Sequence, residues 1–181
     1  MVSTSGSQLL PEEAVKTLCR ELLPLTTILT PNIPEANLLL REAGGEAIDV
    51  QNLDDMKQLA IAVHNLGPQY VLIKGGHIPL TADRTLARTD EERKLVCNVL
   101  YGPNTAAVIE FPYSQSRNTH GTGCSLASAI ACRAAQDSDI VRAVRTACQY
   151  VDAGIKMSQD LGKGHGPINH FHSVQVLPFS P

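Results

Sequence analysis

Short aliphatic and β-branched runs alternate with helical patterns along this chain, and this alternation restricts the fold more than any other feature. Residues 26–30 and 70–74 have the composition of short buried strands. Residues 97–101 and 105–111 predict an antiparallel hairpin that turns at residues 102–104. Strands that alternate with helices predict an α/β protein with a mostly parallel sheet in three layers, helices covering both faces.

Apolar residues at three- and four-residue spacing predict five helices. The first opens with a proline and two glutamates, which suit a helix start, and its predicted inner face carries Ala14, Leu18 and Leu22. Residues 78–94 are polar and lack a period, so we expect a surface loop there. The predicted helices cover residues 11–23, 35–42, 53–66, 125–135 and, after a cap at residues 137–139, a last segment that ends near residue 161.

The composition limits the class of protein. The chain has 181 residues, of which 43% are hydrophobic, and this predicts a single globular domain over residues 1–181. A net charge of −3, 4% aromatic residues and no tryptophan argue against a nucleic-acid-binding protein. The longest apolar runs are too short to cross a bilayer, and residues 1–6 lack the pattern of a signal peptide. We therefore expect a cytoplasmic protein with no nucleic-acid or membrane partner.

The five cysteines show no paired spacing. Because their number is odd and no C-x-x-C pair occurs, we expect neither a disulfide framework nor a zinc site. Cys19, Cys97, Cys132 and Cys148 fall on predicted helices or strands, and we interpret them as packing residues. Cys124 differs from them, because it directly follows a glycine at the start of a helix.

The strongest chemical signal is the run His-Gly-Thr-Gly-Cys at residues 120–124. Glycines let the backbone approach a ligand, and the N–H groups of a helix N-terminus attract anions. A helix N-terminus also lowers the pKa of a thiol, so Cys124 is a candidate base or nucleophile. The alternative is a tight turn with a buried cysteine that packs under a helix of small residues.

Two further loops follow predicted strands. Lys74 ends a strand and precedes two glycines, which suits a phosphate contact, although a lysine extended to solvent beside a glycine turn explains the same residues. Asn32 and Glu35 begin a helix three positions apart, which suits a magnesium ion held through its waters, although helix capping explains this pair as well.

Together the three loops supply an anion cradle, a lysine and a carboxylate, which are the groups that phosphoryl transfer requires. All three follow strands, so they could converge on one edge of the sheet. The chain has no P-loop sequence, so any phosphate site must be of another type.

Five stretches, taken together, resemble the kinases of hydroxymethylpyrimidine and its monophosphate in thiamine biosynthesis, which have a ribokinase-like fold. They occur in that family's order and span nearly the whole chain. They are Met-Val-Ser-Thr-Ser-Gly at 1–6, Leu-Thr-Pro-Asn-Ile-Pro-Glu-Ala at 29–36, Leu-Ile-Lys-Gly-Gly-His at 72–77, Asn-Thr-His-Gly-Thr-Gly-Cys at 118–124 and Gly-Pro-Ile-Asn-His at 166–170.

The resemblance implies a catalytic role for the glycine-rich run. Gly121, Thr122 and Gly123 would form the anion hole that receives the transferring phosphoryl group. Cys124 would stand where sugar-kinase relatives have an aspartate base, and it would help to deprotonate the hydroxymethyl group of the pyrimidine.

The resemblance also implies the binding residues. Lys74 would contact the phosphates of ATP, and Asn32 would match the first residue of the family's N-x-x-E motif. Glu35, the last residue of that motif, would organise Mg²⁺, and Val2 would lie beside the pyrimidine substrate. Members of this family commonly dimerise, so a homodimer is a further expectation.

The same resemblance implies that this chain corresponds to the C-terminal portion of the family's domain. Residues 1–6 match a segment from the middle of that domain, so the sheet would be incomplete on its N-terminal side. The residues for ATP would then be present, whereas much of the pocket for the pyrimidine would not.

Three other functions stay open. Pyridoxine and pyridoxamine kinases share these loops and would differ only in the alcohol that they phosphorylate. The chain could also be an inactive truncated fragment or a nucleotide-binding module. A cysteine hydrolase would use Cys124 as its nucleophile and His120 or His165 as its base, but the sequence offers no clear third residue to orient that base.

Overall fold

The structure, a computed structural model, describes residues 10–136 and 139–174. Val2 and two of the three predicted capping residues, at 137 and 138, lie outside the described residues. The chain divides into two compact units, Met1–Tyr113 and Ser114–Pro181. The assignment of residues 1–181 to a single domain stays a prediction.

The first unit is built on a four-stranded sheet in the order β1–β2–β3–β4. Its strands are β1 (Ile28–Leu29), β2 (Tyr70–Lys74), β3 (Leu95–Gly102) and β4 (Thr105–Pro112). β1 pairs with β2 in parallel, whereas β2 with β3 and β3 with β4 are antiparallel. The α/β class is therefore confirmed, and the described sheet is mixed rather than mostly parallel.

The connections explain the mixed sheet. The chain passes from β2 to β3 through residues 75–94, and because this segment contains no crossover helix, β3 returns antiparallel to β2. β3 and β4 form the predicted hairpin, in which Gly102 pairs with Thr105 and Asn104 has a φ of +54°. β1 is shorter than predicted, and both its residues are only partly buried at the edge of the sheet.

Within the described part of the first unit there are three α-helices. The helix predicted over residues 53–66 is present and ends two residues earlier, at His64. The apolar residues whose helical spacing predicts it are all buried: Leu53, Met56, Leu59, Ala60 and Val63. The three helices of this unit are α1 (Glu12–Thr17), α2 (Ile33–Glu42) and α3 (Leu53–His64). α1 continues through a π-helical turn (Leu18–Leu22) and a 3-10 turn (Leu23–Leu25).

The predicted inner face of the first helix is only partly right. Leu18 packs partly buried against the core as predicted, whereas Leu22 is 55% exposed, and Val15 and Leu23 are the fully buried residues. The π-helical turn accounts for Leu22, because its wider winding rotates this side chain away from the face that a regular α-helix would present.

The core of the first unit lies between the helices α2 and α3 and the strands β2 and β3. Met56 and Leu59 pack there with Val71 and Ile73, and all four are fully buried. The segment at residues 78–94 has no helix or extended strand, as predicted, but it buries Leu80 completely.

The second unit contains two helices that pack against each other, α4 (Thr122–Gln136) and α5 (Ile140–Lys156). The side chain of Asp139 caps α5 by accepting a hydrogen bond from the backbone N–H of Arg142 at 3.0 Å. α5 ends before the predicted boundary, and Leu161 is 65% exposed. Across residues 10–136 and 139–174, no helix combines the length and the apolar composition needed to cross a membrane.

Candidate functional site

The glycine-rich run predicted as an anion cradle forms a tight turn that leads into α4, and we call residues 119–123 the glycine loop. The hydroxyl of Thr122 donates to the carbonyl of Thr119 at 3.0 Å, and the hydroxyl of Ser125 donates to the carbonyl of Gly121 at 2.7 Å. Gly121 has a φ of +84°, a left-handed conformation that glycine adopts without strain. The loop is therefore held by the hydroxyl of Thr122 and by that of Ser125 in the first turn of α4.

The start of α4 offers donors to a ligand. Within the described residues, the backbone N–H groups of Gly123 and Cys124 donate no hydrogen bond, as expected for the first turn of a helix. The Cys124 side chain is exposed, so the alternative of a buried packing cysteine is wrong. Two N–H groups at the N-terminus of a fifteen-residue helix suit an anion.

The other cysteines follow the predictions only in part. Cys97 and Cys148 are buried and Cys19 is partly buried, which agrees with packing roles. Cys132 is exposed on α4, so its interpretation as a packing residue is wrong. All five cysteines are free thiols.

A segment near residue 166 contacts the glycine loop, and apart from His165 as a candidate hydrolase base no role was predicted for it. The backbone N–H of His120 donates to the carbonyl of Gly166 at 3.2 Å, and His120 and Pro167 form an isolated parallel bridge. His165 Nδ1 lies 3.2 Å from the carbonyl oxygen of Arg117. The only sequence signal for this contact was the family-like run at residues 166–170.

Asn32, Glu35 and Lys74 come together in the first unit. Asn32 Oδ1 accepts from the Glu35 N–H at 2.8 Å, and Glu35 Oε2 accepts from the Asn32 N–H at 2.9 Å, which is a complete capping box for α2. Lys74 Nζ lies 4.0 Å from Glu35 Oε2, and the backbones of Lys74 and Asn32 form a parallel bridge. Helix capping is thus confirmed, and it places a carboxylate beside the lysine at the end of β2.

Gly75 fixes the backbone that follows Lys74. A Cβ at position 75 would lie 2.1 Å from the carbonyl oxygen of Cys97, so only glycine fits. The N–H of Gly75 donates to the Asn98 side chain at 3.2 Å. The end of β2 is therefore tightly held, while Gly76 and His77 are exposed.

The residues around Glu35 offer a metal ion a single carboxylate ligand and no enclosing ligand set. Among the described residues, no group of three His, Cys, Asp or Glu side chains could enclose an ion. One oxygen of Glu35 is already an acceptor for the Asn32 N–H and a neighbour of Lys74. A single carboxylate of this kind suits a magnesium ion that keeps most of its water ligands.

A helix N-terminus open to anions, and a lysine and a carboxylate after a strand, are features of an α/β protein that handles phosphates. The sequence matches the family model described as phosphomethylpyrimidine kinase over residues 1–169. The chain belongs to the phosphomethylpyrimidine kinase family, so the resemblance drawn from its motifs is confirmed.

Two curated relatives show how much of such proteins the chain represents. It is 33% identical over 171 residues to the hydroxymethylpyrimidine/phosphomethylpyrimidine kinase of Bacillus subtilis, which covers 94% of this chain and 56% of that protein. It is 36% identical over 175 residues to the thiamine biosynthesis bifunctional protein of Geobacter sulfurreducens, which covers 97% of this chain and 32% of that protein. The chain thus spans about half of the first relative and a third of the second.

The fold is similar to that of a solved kinase. The pyridoxal kinase of Staphylococcus aureus in complex with ADP matches with a TM-score of 0.76 and 25% identity, over 97% of this chain and 57% of that one. This likeness confirms the ribokinase-like α/β fold that the motifs predicted.

Proposed function

We propose that this chain is the ATP-handling portion of a phosphotransferase that phosphorylates 4-amino-5-hydroxymethyl-2-methylpyrimidine and then its monophosphate, in thiamine biosynthesis. The observation that carries this proposal is the glycine loop, which presents the N–H groups of Gly123 and Cys124 at an exposed helix N-terminus. Membership of the phosphomethylpyrimidine kinase family and the names of the two curated relatives support the choice of substrate.

In this proposal the second unit serves the transferring phosphoryl group. In the first phosphorylation, the hydroxymethyl oxygen attacks the γ-phosphorus of ATP, the bond from that phosphorus to the bridging oxygen of ADP breaks, and the hydroxyl proton passes to the Cys124 sulfur, which acts as the base. In the second, an oxygen of the monophosphate attacks the γ-phosphorus of another ATP, and the same bond to ADP breaks. The anion hole formed by Gly121, Thr122 and Gly123, with the open N–H groups of Gly123 and Cys124, stabilises the negative charge on the phosphoryl oxygens, which is the main requirement of this reaction. The exposed Cys124 thiol has the access to substrate that a base needs.

The first unit serves the nucleotide and its ion. Lys74, which is only 21% exposed at its side chain, contributes a positive charge to the phosphates, and the capping box with Asn32 fixes the Glu35 carboxylate nearby. Mg²⁺, when bound, neutralises phosphate charge, and Glu35 would hold it through its water ligands. Val2 would lie beside the pyrimidine, as the family resemblance implies.

The test is a phosphorylation assay with the chain, MgATP and hydroxymethylpyrimidine, in which mono- and diphosphate products are identified by mass spectrometry. The same assay is run on the longest protein that its genomic reading frame encodes. Product from either protein supports the proposal, and the comparison shows whether this portion is sufficient. Absence of product from both, with folded protein, refutes it.

The role of Cys124 is tested by Cys124→Ala in whichever protein is active. We expect turnover to fall far more than the affinity for ATP, because the thiol acts in the chemical step. Cys132→Ala is the matched control, since Cys132 is an exposed cysteine on the same helix. Near-normal turnover in Cys124→Ala removes this thiol from the mechanism.

A pyridoxine or pyridoxamine kinase is the second candidate, favoured by the match to the Staphylococcus aureus pyridoxal kinase. The two candidates share the ATP residues and differ in the alcohol, so a competition assay with both alcohols separates them. An inactive fragment or nucleotide-binding module is the outcome if the chain binds MgATP but transfers no phosphate. The cysteine hydrolase stays a prediction, tested by trapping an acyl intermediate on Cys124.

Three secondary proposals accompany this function. We expect a cytoplasmic location, where ATP is available, and cell fractionation tests it. We expect a homodimer, as in many members of the family, and sedimentation tests it. No nucleic-acid partner is expected for a chain of net charge −3, and a filter-binding assay tests that.

A further inference from the structure

Asn118 lies directly before the glycine loop and is a buried polar residue, only 3% exposed. Its side-chain Nδ2 donates to Asp160 Oδ1 at 2.8 Å, and its backbone N–H donates to the hydroxyl of Ser116 at 3.0 Å. An ionised carboxylate can only accept hydrogen bonds, so Asp160 determines which end of the Asn118 amide faces it. The orientation of the amide is therefore set by a residue far along the chain.

Asp160 accepts from two consecutive residues. Arg117 Nε donates to the same oxygen, Asp160 Oδ1, at 3.0 Å, and the guanidinium also donates to the carbonyl of Gly162 at 3.1 Å. The hydrogen bonds from Asn118 and then from Arg117 lower the pKa of Asp160, so it is ionised at neutral pH. One carboxylate thus ties together the two residues that lead into the glycine loop.

The other side of Asn118 meets the segment at residue 166. A Cβ on Gly166 would lie 2.2 Å from Asn118 Oδ1, so this glycine allows the amide to sit against the backbone. The carbonyl of Gly166 then accepts from the N–H of His120, inside the loop. Asn118 lies between Asp160 and Gly166. Asn118 directly precedes the glycine loop and Gly166 accepts from His120 inside it, so we expect a change at either contact to alter the loop backbone.

We propose that Asp160 is a positioning residue for the glycine loop: it orients Asn118 and so fixes the backbone that presents the N–H groups at the start of α4. This inference rests on the proposed function, because it assigns Asp160 to the phosphate site. In this inference Asp160 acts through Asn118 and not through a contact with substrate. The ion pair of Arg117 and Asp160 is largely exposed, with side chains 40% and 68% accessible, and such pairs add little to global stability. The effect of losing Asp160 is therefore local to the loop.

The test is hydrogen–deuterium exchange on the 181-residue chain, read by mass spectrometry for the peptide that covers residues 117–125. Asp160→Ala should speed exchange in this peptide by roughly tenfold, the expected effect of losing a hydrogen bond to a charged group. Asp160→Asn should change it much less, because the new amide oxygen can still accept from Asn118. Asp152→Ala is the matched control, since Asp152 is also an acidic residue paired with a basic side chain, Lys156, in the same unit.

Unchanged exchange in Asp160→Ala overturns the inference. An increase spread over all of α4 and α5 also overturns it, because it shows a general loss of stability. In the active protein, Asp160→Ala should lower kcat more than it alters KM for the pyrimidine, whereas Asp152→Ala should leave both unchanged. If the parent protein transfers no phosphate, the proposed function fails, and the exchange measurement still decides whether Asp160 positions the loop.

Discussion

Gly121 allows the glycine loop to be perturbed without a steric clash. Its φ is +84°, and a Cβ at this position would meet no heavy atom within 4 Å. Gly121→Ala therefore adds backbone strain alone, about 1–2 kcal/mol for an L residue in the left-handed region. Alanine also reduces the conformational entropy of the unfolded chain, which stabilises the folded state by about 0.4–1 kcal/mol. We therefore expect a net destabilisation of about 1 kcal/mol.

Gly44 is a closely matched control. It also has a φ of +84° with no heavy atom within 4 Å of a Cβ, and it directly follows the C-cap of α2. Gly44→Ala should lose the same free energy of unfolding, measured by urea denaturation. Only Gly121→Ala should weaken the binding of MgATP, because strain there is relieved by turning the N–H groups at the start of α4 away from the phosphate.

The expected loss of affinity is roughly tenfold, equivalent to one hydrogen bond to a charged group. A fluorescent ATP analogue, titrated into both variants and the parent chain, measures it. Equal affinity for Gly121→Ala and Gly44→Ala would refute the assignment of the glycine loop to phosphate. Destabilisation of Gly44→Ala alone would refute the strain argument at position 121.

Three further predictions concern other parts of the chain. Asn32→Ala removes the side-chain cap of α2, so it should lower the free energy of unfolding, measured by urea denaturation, by about 1 kcal/mol. Asn32→Asp keeps a capping oxygen and should retain most of the parent chain's free energy of unfolding. Arg84 donates to Glu110 at 2.6 Å and lowers the pKa of that carboxyl, so the pair stabilises the folded state at neutral pH and loses this effect as the pH falls through the lowered pKa of Glu110. The urea midpoints of Arg84→Ala and the parent chain should therefore differ at pH 7 and converge once the pH has fallen through the lowered pKa of Glu110. Burial raises the pKa of Cys97 to about 11, so iodoacetamide at about pH 8 should alkylate the exposed Cys124 far faster than Cys97, as peptide mass mapping would show.

Elements with a complete local signal were predictable from the sequence. β2 has the predicted bounds of residues 70–74, and α3 buries every residue that its spacing placed inward. The hairpin of β3 and β4 was also predictable, because its turn residues and its two apolar runs are adjacent in the chain. In each case the information lies in one continuous stretch of the chain.

Features that depend on distant partners or irregular winding were not predictable. The mixed sheet follows from the path of residues 75–94, which polar composition alone does not define. Leu80 is fully buried in that polar segment, since its backbone bridges to Leu95 of β3. The link from Asn118 to Asp160 spans 42 positions, and no local pattern signals it.

The pair Asn32 and Glu35 shows why one motif supported two interpretations. A capping box requires a side-chain acceptor followed by a glutamate or glutamine three residues later, and the N-x-x-E motif of the family has the same spacing. In the structure both side chains complete the capping box, and Glu35 Oε2 also lies 4.0 Å from Lys74 Nζ. A carboxylate tied to the backbone at a helix start has little freedom to move, so the cap itself holds the charge in place. The structural role is therefore the means by which this residue could serve a nucleotide, and the two interpretations do not compete.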